Sequence, residues 1–378
     1  MLTLFKNGSV YNTESRMFEN RDVFVCDGII ADGGEPDSVV DCAGKYIIPG
    51  LVDVHTHGRG GFDFNTAGED DVRKMRASYA KVGTTTIMAT LASATTESLE
   101  ASAYAINKNR THDKGLANIA GIHLEGRYLN VKRRGAHAEA LLAPLNASEA
   151  KSLVTKMMPL PVHVSAALEQ DGGEEFVKAL TDMGATVALA HSDATYDEAM
   201  TAVGWGASAF THTFNAMRPM HHREPGNAVA SMLADVAYTE LICDGMHVHP
   251  AMIALCDRAK ADGKLVLITD SMEAAGMPDG DYTIAGMPVI VKDGKAVTID
   301  GALAGSTLDL FTAVKNYMAF TGKTLEEALP CATINPAREA DCADRCGSIE
   351  TGKRADFIVL NDKENPEIES VYVNGEII

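Results

Sequence analysis

The sequence predicts an α/β fold: a (β/α)8 or TIM barrel that carries a small β-sandwich domain formed by both termini. Two observations lead to this prediction. Across residues 50–343, short apolar strands alternate with helical stretches, and eight such units in about 290 residues match the length of a TIM barrel. Both ends of the chain are rich in β-forming residues instead. We therefore assign 1–49 plus 344–378 to the small domain and 50–343 to the barrel.

The two ends of the chain carry the same short pattern. Residues 23–30 (VFVCDGII) resemble residues 371–378 (VYVNGEII), and each is a β-rich run around an Asp-Gly or Asn-Gly pair. These dipeptides favour the tight turns of β-hairpins. Residues 356–360 add one more strand. We expect all three segments to fold into one domain that flanks the long middle of the chain.

Eight apolar segments in the middle of the chain are predicted to form the barrel strands. Parallel strands of a barrel are buried on both faces, so they form short apolar runs without polar alternation. In chain order the predicted strands are 51–55, 85–91, 119–125, 162–168, 186–191, 207–212, 240–244 and 265–270. Predicted helices connect them at 67–82, 96–107, 147–158, 173–183, 196–203 and 250–261.

One segment after the last predicted strand interrupts this alternation. Residues 281–299 are β-rich around Asp293-Gly294. We interpret the region near 281–300 as a hairpin inserted into the barrel domain.

Composition restricts the partners and the compartment. The chain has 52 acidic and 33 basic residues, which gives a formal charge of -19. Such a charge argues against nucleic acid or an anionic membrane as the main partner. The seven cysteines are scattered and include no CxxC pair, so neither a disulfide framework nor a thiolate zinc site is expected. With no apparent signal peptide or apolar run of 18 residues, we expect a cytoplasmic protein.

Polar side chains stand at the carboxyl ends of five predicted strands, where the active sites of TIM barrels lie. Strand one ends in His55-Thr56-His57, strand three in His123-Leu124-Glu125, and strands five, six and eight in His191, His212 and Asp270. Imidazoles and carboxylates are ligands of zinc and related divalent metals. The sequence therefore predicts a metal-dependent barrel.

Each of these residues also has an ordinary structural explanation. A single histidine at a strand end is commonly a hydrogen-bonded core or surface residue, and alternation alone puts both histidines of an HxH pair on one face. The HxE of His123–Glu125 also occurs in zinc nucleoside deaminases, but their PCxxC partner is absent here. The convergence of five potential ligands and one aspartate favours the metal site.

Two segments, residues 49–57 (PGLVDVHTH) and 347–356 (GSIETGKRAD), are similar to motifs shared across the amidohydrolase superfamily. More specific segments follow in order along the chain at 123–126 (HLEG), 132–137, 211–217 (THTFNAM), 221–226 (HHREPG), 244–248 (DGMHV), 269–272 (TDSM) and 303–306 (LAGS). Together these segments resemble the N-acetylglucosamine-6-phosphate deacetylase family of that superfamily.

The resemblance implies a metal-dependent hydrolase that removes the acetyl group from a phosphorylated amino sugar. Within that family pattern, Glu125, His191 and His212 hold the principal metal. His55 and His57 allow a second metal, with Glu125 as the bridge. The ion implied is zinc, with iron, manganese or another divalent metal as alternatives, and one or two ions per subunit.

The resemblance also implies the roles of the residues that handle substrate. Asp270 is the acid/base, and His137 lines the substrate pocket. Arg223 reaches the phosphate from the neighbouring subunit, which implies a homodimer. The phosphosugar is contacted by Asn215, Ala216 and His247.

Two departures from the family pattern leave the preferred sugar open. Arg127 stands where the family usually has proline, and residues 165–169 (SAALE) stand where it commonly has Ala-Pro-Glu. Arg127 either adds charge beside the site or points outward in a salt bridge. The galactosamine epimer or a modified amino sugar therefore remains an alternative substrate.

Other functions agree less well with the sequence. Cyclic amidases of the superfamily often use a carboxylated lysine on strand four, and no lysine occurs between Pro159 and Asp171. A deaminase of similar architecture would release ammonia in place of acetate. A non-catalytic barrel that only binds metal or sugar phosphate would lack ligands or the acid/base, which are all present here.

Overall fold

The computed structural model describes residues 1–378 and contains an eight-stranded parallel barrel. Its strands follow one another around the barrel in chain order. They are Leu51–Thr56, Thr84–Leu91, Asn118–Glu125, Val162–Ala166, Thr186–Leu189, Ala209–Phe210, Tyr238–Ile242 and Leu265–Ile268. The predicted fold class is confirmed, and each of the eight predicted strands is present within a few residues of its expected bounds.

Contacts between the first and the eighth strand close the barrel. The Thr269 hydroxyl donates to Asp53 Oδ2 at 2.6 Å, and the Asp270 backbone N–H donates to the His55 carbonyl at 2.9 Å. The second contact sets His55 and Asp270 side by side at the carboxyl-terminal mouth of the barrel.

The helices surround the barrel, and several begin with a side-chain cap. In the helix Tyr196–Trp205, for example, Thr195 and Glu198 form a reciprocal capping box.

All six predicted helices are present, as Glu69–Ala80, Thr96–Lys108, Ala147–Met157, Gly173–Thr181, Tyr196–Trp205 and Pro250–Ala259. Four further helices were not predicted: Gly226–Leu233, Leu310–Thr321, Leu325–Ala328 and Ile334–Glu339. Short 3-10 turns occupy Val131–Arg133, Glu139–Leu141 and Leu329–Ala332. No helix is both long and apolar enough to traverse a bilayer.

Both ends of the chain contribute to a separate pair of sheets. A four-stranded sheet contains Leu2–Lys6, Val23–Cys26, Ile29–Ala31 and Ser38–Asp41. A six-stranded sheet combines Ser9–Asn12, Met17–Asn20 and Tyr46–Pro49 with Phe357–Leu360, Ile368–Val373 and Glu376–Ile377.

The two terminal sheets share one small hydrophobic core. Phe5 of the first sheet meets Phe357 and Tyr372 of the second edge to face, with ring centroids 4.9 Å apart in both pairs. This packing confirms a small β domain built from both termini. The exact boundaries at 49/50 and 343/344 stay a prediction.

The insertion after the last barrel strand is a three-stranded antiparallel sheet and not the predicted hairpin. Its strands are Gly280–Ile284, Met287–Lys292 and Lys295–Thr298. The prediction missed the first turn because Ala285-Gly286 lacks the Asp-Gly pattern that marks the second turn, although Ala285 also adopts a positive φ of 47°. Near Ser271, the short paired segments Gly58–Arg59 and Phe62–Asp63 complete the barrel mouth.

Candidate metal centre and active site

Glu125, at the end of the third barrel strand, lies at the centre of a buried group of histidines. Its Oε1 is 2.8 Å from His212 Nε2 and 3.2 Å from His191 Nε2. Its Oε2 faces the first strand, 3.0 Å from His57 Nε2 and 3.4 Å from His55 Nε2. One carboxylate therefore touches both predicted ligand pairs, as a bridging ligand would.

Asp270 completes the second of these two groups. Its Oδ1 lies 3.2 Å from His57 Nε2 and 3.6 Å from His55 Nε2. Two triads of potential ligands result, Glu125–His191–His212 and His55–His57–Asp270, and the ligand atoms of each lie within 4.8 Å of one another. The structure thus brings together all five predicted metal ligands and the predicted acid/base.

The hydrogen bonds around these histidines fit a cation. His191 Nδ1 lies 2.7 Å from the Arg133 carbonyl and donates to it, so Nε2 is the nitrogen that a neutral ring can offer to a cation. That Nε2 faces His212 Nε2 at 3.0 Å and the Glu125 carboxylate. His55 Nε2 is buried without a hydrogen-bond partner. Acceptor atoms that converge in this way are stable only around positive charge.

The charges of the site point to the same conclusion. Burial alone would raise the pKa of Glu125. The positive charge of His55 and the hydrogen bonds with His191 and His212 together have the larger effect, so the pKa lies well below its usual range. For Asp270, His55 and His57 overcome burial and lower the pKa to about 2. Burial lowers the pKa of His57, but Asp270 and Glu125 raise it to about 9. The site attracts protons or metal ions strongly.

The backbone at three of these strand ends is strained. His191, His212 and Asp270 adopt positive φ angles of 43°, 31° and 49°. Residues with a side chain rarely occupy this region, and such outliers gather at functional sites. Each strand therefore stops abruptly and turns its last side chain into the mouth of the barrel.

Arg127 points away from this centre. Its Nε donates to Glu149 Oε1 at 2.8 Å, and a guanidinium nitrogen donates to the Ala94 carbonyl at 3.1 Å. Of the two alternatives that the sequence left open, the structure shows the salt bridge. Its φ of 63° is also one that proline cannot adopt.

A cavity of about 310 Å³ lies above the metal centre. Four of the five predicted substrate-binding residues, His137, Asn215, Ala216 and His247, line it beside the ligands. Lys132 and Arg133 add positive charge, and Ile284, Ala302, Leu303 and Gly305 form a wall from the inserted sheet and the segment that follows it.

His137 and His247 are each held by a hydrogen bond on Nδ1. Ser93 approaches His137 Nδ1 with both its hydroxyl, at 2.8 Å, and its backbone N–H, at 3.4 Å. Asp244 Oδ2 lies 2.6 Å from His247 Nδ1. Burial, followed by repulsion from His191, lowers the pKa of His137 to about 3, so this imidazole is neutral at physiological pH.

The fifth predicted substrate residue, Arg223, does not line the cavity. It is exposed, and its guanidinium contacts His222 Nε2 at 2.9 Å. The single chain therefore does not test its predicted role, which the family resemblance assigns to the active site of a neighbouring subunit.

Three residues near the site were missed by the sequence analysis. Ser93 orients His137, and Glu240 Oε2 lies 3.1 Å from His55 Nδ1. Asp193 pairs with Arg133 and Arg218 on the rim of the cavity. All three act through other side chains, and no motif of their own marks such residues in a single sequence.

The comparisons with known proteins agree with this geometry. The model of the amidohydrolase family matches residues 46–378. The chain belongs to the amidohydrolase family. This amidohydrolase is 34% identical to the N-acetylglucosamine-6-phosphate deacetylase of Vibrio furnissii, over 92% of this chain and 86% of that protein. It is 33% identical to the N-acetylgalactosamine-6-phosphate deacetylase of Escherichia coli O157:H7, over 97% and 96%.

Solved structures extend the similarity to the whole fold. The N-acetylglucosamine-6-phosphate deacetylase of Pasteurella multocida matches with a TM-score of 0.92 at 28% identity, over all of both chains. A mutant of the Mycobacterium smegmatis enzyme, in complex with N-acetyl-D-glucosamine-6-phosphate, matches with a TM-score of 0.89 at 30% identity, over 100% of this chain and 98% of that one. The predicted family is confirmed. The amidohydrolase is a hydrolase that acts on an amide, and its family is metal-dependent.

Proposed function

We propose that this amidohydrolase hydrolyses the N-acetyl group of N-acetylglucosamine 6-phosphate to glucosamine 6-phosphate and acetate, in amino-sugar catabolism. One observation carries the proposal: Glu125 and Asp270 meet four histidines at the floor of a cavity of sugar size. All seven cysteines are free, which agrees with a reducing compartment, and we place the enzyme in the cytoplasm.

Two ligand groups support one or two divalent ions. Glu125, His191 and His212 would hold the principal ion, and His55 and His57 a second one with Glu125 between them. Mixed imidazole and carboxylate ligands suit zinc best, with iron or manganese as alternatives. When bound, such an ion polarises a carbonyl oxygen and makes a water nucleophile available near neutral pH.

Asp270 supplies the proton transfers. Its carboxylate is ionised at neutral pH, so Oδ1 accepts a proton as water attacks the acetyl carbon. The new C–O bond forms while the carbonyl oxygen gains negative charge. Asp270 then delivers the same proton to the nitrogen as the C–N bond breaks, which releases the amine. The acetic acid formed loses the second water proton to solvent and leaves as acetate.

His137 stabilises the negative oxygen of the tetrahedral intermediate. Because Ser93 donates to Nδ1, the ring proton is on Nε2, which is free to donate into the cavity. The neutral imidazole places a fixed donor where charge develops. In comparable sites one such donor contributes about 3 kcal/mol.

The remaining cavity residues recognise the phosphosugar. Asn215 and the backbone of Ala216 offer neutral donors, and His247 is oriented by Asp244. We place the phosphate near Arg223 of the neighbouring subunit in a homodimer, because a guanidinium binds phosphate through two parallel hydrogen bonds. The exposure of Arg223 is compatible with this role.

The galactosamine epimer is a second candidate substrate. The relative named N-acetylgalactosamine-6-phosphate deacetylase is 33% identical, almost as similar as the one named N-acetylglucosamine-6-phosphate deacetylase at 34%. The two sugars differ only in the direction of one hydroxyl.

A substrate panel tests both proposals. Purified protein is assayed for acetate release from N-acetylated glucosamine and galactosamine, each with and without the 6-phosphate, and the metal content of the same sample is measured. We expect the highest kcat/KM with N-acetylglucosamine 6-phosphate. A higher kcat/KM for N-acetylgalactosamine 6-phosphate would make that sugar the preferred substrate. If none of the four compounds released acetate, the proposed deacetylase activity would be refuted.

A further inference from the structure

A second group of metal-binding side chains lies beneath the catalytic centre. His163 comes from the fourth barrel strand, Glu240 from the seventh, and Glu339 from the helix Ile334–Glu339. One ligand atom of each lies within 4.8 Å of those of the other two. None of the three belongs to the predicted catalytic metal site.

These side chains are buried and lack hydrogen-bond partners at the atoms that face one another. His163 Nε2, Glu240 Oε1 and both carboxylate oxygens of Glu339 are unpartnered, although the residues are only 2%, 0% and 5% exposed. A buried polar group without a partner costs about 1–3 kcal/mol, and more if it is charged. A ligand that accepts electron pairs from all three would remove this cost.

The charge around the group favours a cation. Burial raises the pKa of Glu339 well above its usual value, and the neighbouring Glu240 raises it further. No lysine or arginine forms a salt bridge with either carboxylate. Burial lowers the pKa of His163 to about 4, and its Nδ1 lies 2.7 Å from Thr186 Oγ1. A neutral imidazole held through Nδ1 can present the Nε2 lone pair as a ligand.

We propose that His163, Glu240 and Glu339 bind a divalent cation of the zinc or manganese class at the floor of the barrel. This donor set is the kind that such ions prefer. A cavity of about 360 Å³ at the amino-terminal mouth of the barrel, lined by Thr186, Tyr238 and Glu339, provides a path of entry.

Glu240 links this floor site to the catalytic centre. Its Oε1 faces His163, while its Oε2 lies 3.1 Å from His55 Nδ1. A cation at the floor would therefore bind the Glu240 oxygen that does not contact His55, and the contact with His55 does not depend on it. We expect the floor ion to stabilise the barrel while taking no part in the reaction.

Metal analysis of matched variants tests the floor site. The holoenzyme, Glu339→Gln and Asp341→Asn are dialysed in parallel and their zinc and manganese content is measured. Asp341 is an exposed carboxylate two residues away that lines the same cavity mouth. We expect Glu339→Gln to hold about one ion fewer per chain, with acetate release retained, and Asp341→Asn to match the wild type. Equal metal content in all three proteins would overturn the proposal.

A measurement on the unaltered protein covers the case in which Glu339→Gln does not fold. Crystals of the wild type are soaked in Mn²⁺, and anomalous scattering is recorded. The floor site predicts a peak about 2.0–2.3 Å from His163 Nε2 and from a Glu339 oxygen. A map with peaks at the catalytic centre and none at the floor would show that a proton or water satisfies these groups.

Discussion

Ser93 Oγ lies 2.8 Å from His137 Nδ1 and accepts a hydrogen bond from the Arg127 backbone N–H at 3.0 Å. The hydroxyl proton is thereby directed at the imidazole, which leaves the ring proton of His137 on the nitrogen that faces substrate. Gly126 allows this close approach, because a Cβ there would lie 2.4 Å from Ser93 Oγ. A small residue next to the proposed ligand Glu125 thus makes room for the hydroxyl that sets the tautomer of His137.

Replacing Ser93 with alanine should lower kcat while KM changes little. The lost hydrogen bond is worth about 1 kcal/mol, which corresponds to roughly a fivefold decrease in rate. Steady-state kinetics on N-acetylglucosamine 6-phosphate measures the effect, with Ser93→Thr as the control that keeps a hydroxyl. If Ser93→Ala turns over as fast as the wild type, the hydroxyl does not set the tautomer of His137.

The Asp270→Asn variant should bind metal normally and lose turnover by about 10²–10⁴-fold. An amide keeps the size of the side chain but cannot accept the proton of the attacking water. Metal analysis and acetate release on the same preparation separate the two effects. Turnover at the wild-type rate would remove Asp270 from the mechanism, and loss of the metal would make it a ligand instead.

Glu240→Gln should lower the metal affinity of the proposed catalytic centre, although Glu240 is not one of that centre's proposed ligands. Glu240 Oε2 lies 3.1 Å from His55 Nδ1 and accepts from the His212 backbone at 3.3 Å. Loss of such an orienting partner typically lowers metal affinity about 10–100-fold. The measurement is the free Zn²⁺ concentration that restores half of the turnover to chelator-treated protein.

Glu339→Gln is the control for this effect, because it leaves the contact between Glu240 and His55 intact. An equal zinc requirement in Glu240→Gln and the wild type would contradict the orienting role.

Arg223→Ala should reduce kcat/KM for the phosphorylated sugar about 10–100-fold and leave the unphosphorylated sugar unaffected. A charge-assisted pair of hydrogen bonds to phosphate is worth about 1.5–3 kcal/mol. Arg110→Ala, an exposed arginine outside the cavity, is the matched control. A full preference for the phosphorylated substrate in Arg223→Ala would refute the phosphate contact.

Lys260 should make stability depend on pH in the alkaline range. Its Nζ donates to the Ser231 and Ala234 carbonyls, and burial lowers its pKa from 10.5 to about 8. Between these values the folded chain has released the proton and the unfolded chain retains it. The contribution of Lys260 to the free energy of unfolding therefore rises with pH, by at most about 1.4 kcal/mol per unit.

Urea midpoints of the wild type and Lys260→Met, compared from pH 7.5 to 10.5, measure this contribution. The difference should move in favour of the wild type above pH 8. A constant difference over the whole range would mean that Lys260 keeps an ordinary pKa.

The sequence was sufficient for the barrel and for the position of the residues proposed to bind metal because both follow from local patterns. Buried parallel strands are apolar runs, and the ends of those runs mark one rim. His55, Glu125, His191, His212 and Asp270 lie at that rim as expected.

Contacts between segments far apart in the chain could not be predicted from the sequence. Glu240 stands within an apolar strand, and only the closed barrel shows that its two oxygens face His55 and His163. The direction of Arg127 was open for the same reason, since its partner Glu149 lies on a helix that the pattern places only roughly. One strand of the inserted sheet was not predicted, because the turn that follows it has no characteristic dipeptide.

The pairing of Tyr46–Pro49 with Phe357–Leu360 has a consequence for synthesis on the ribosome. The partner strand emerges roughly 300 residues later, and at about 5–20 residues per second this delay is on the order of 15–60 s. During this interval one edge of Tyr46–Pro49 lacks its partner strand, and its free backbone groups can pair with other chains and cause aggregation. The barrel strands, which pair with their neighbours in chain order, can assemble meanwhile. We expect the nascent chain to need a chaperone most before its last strands emerge.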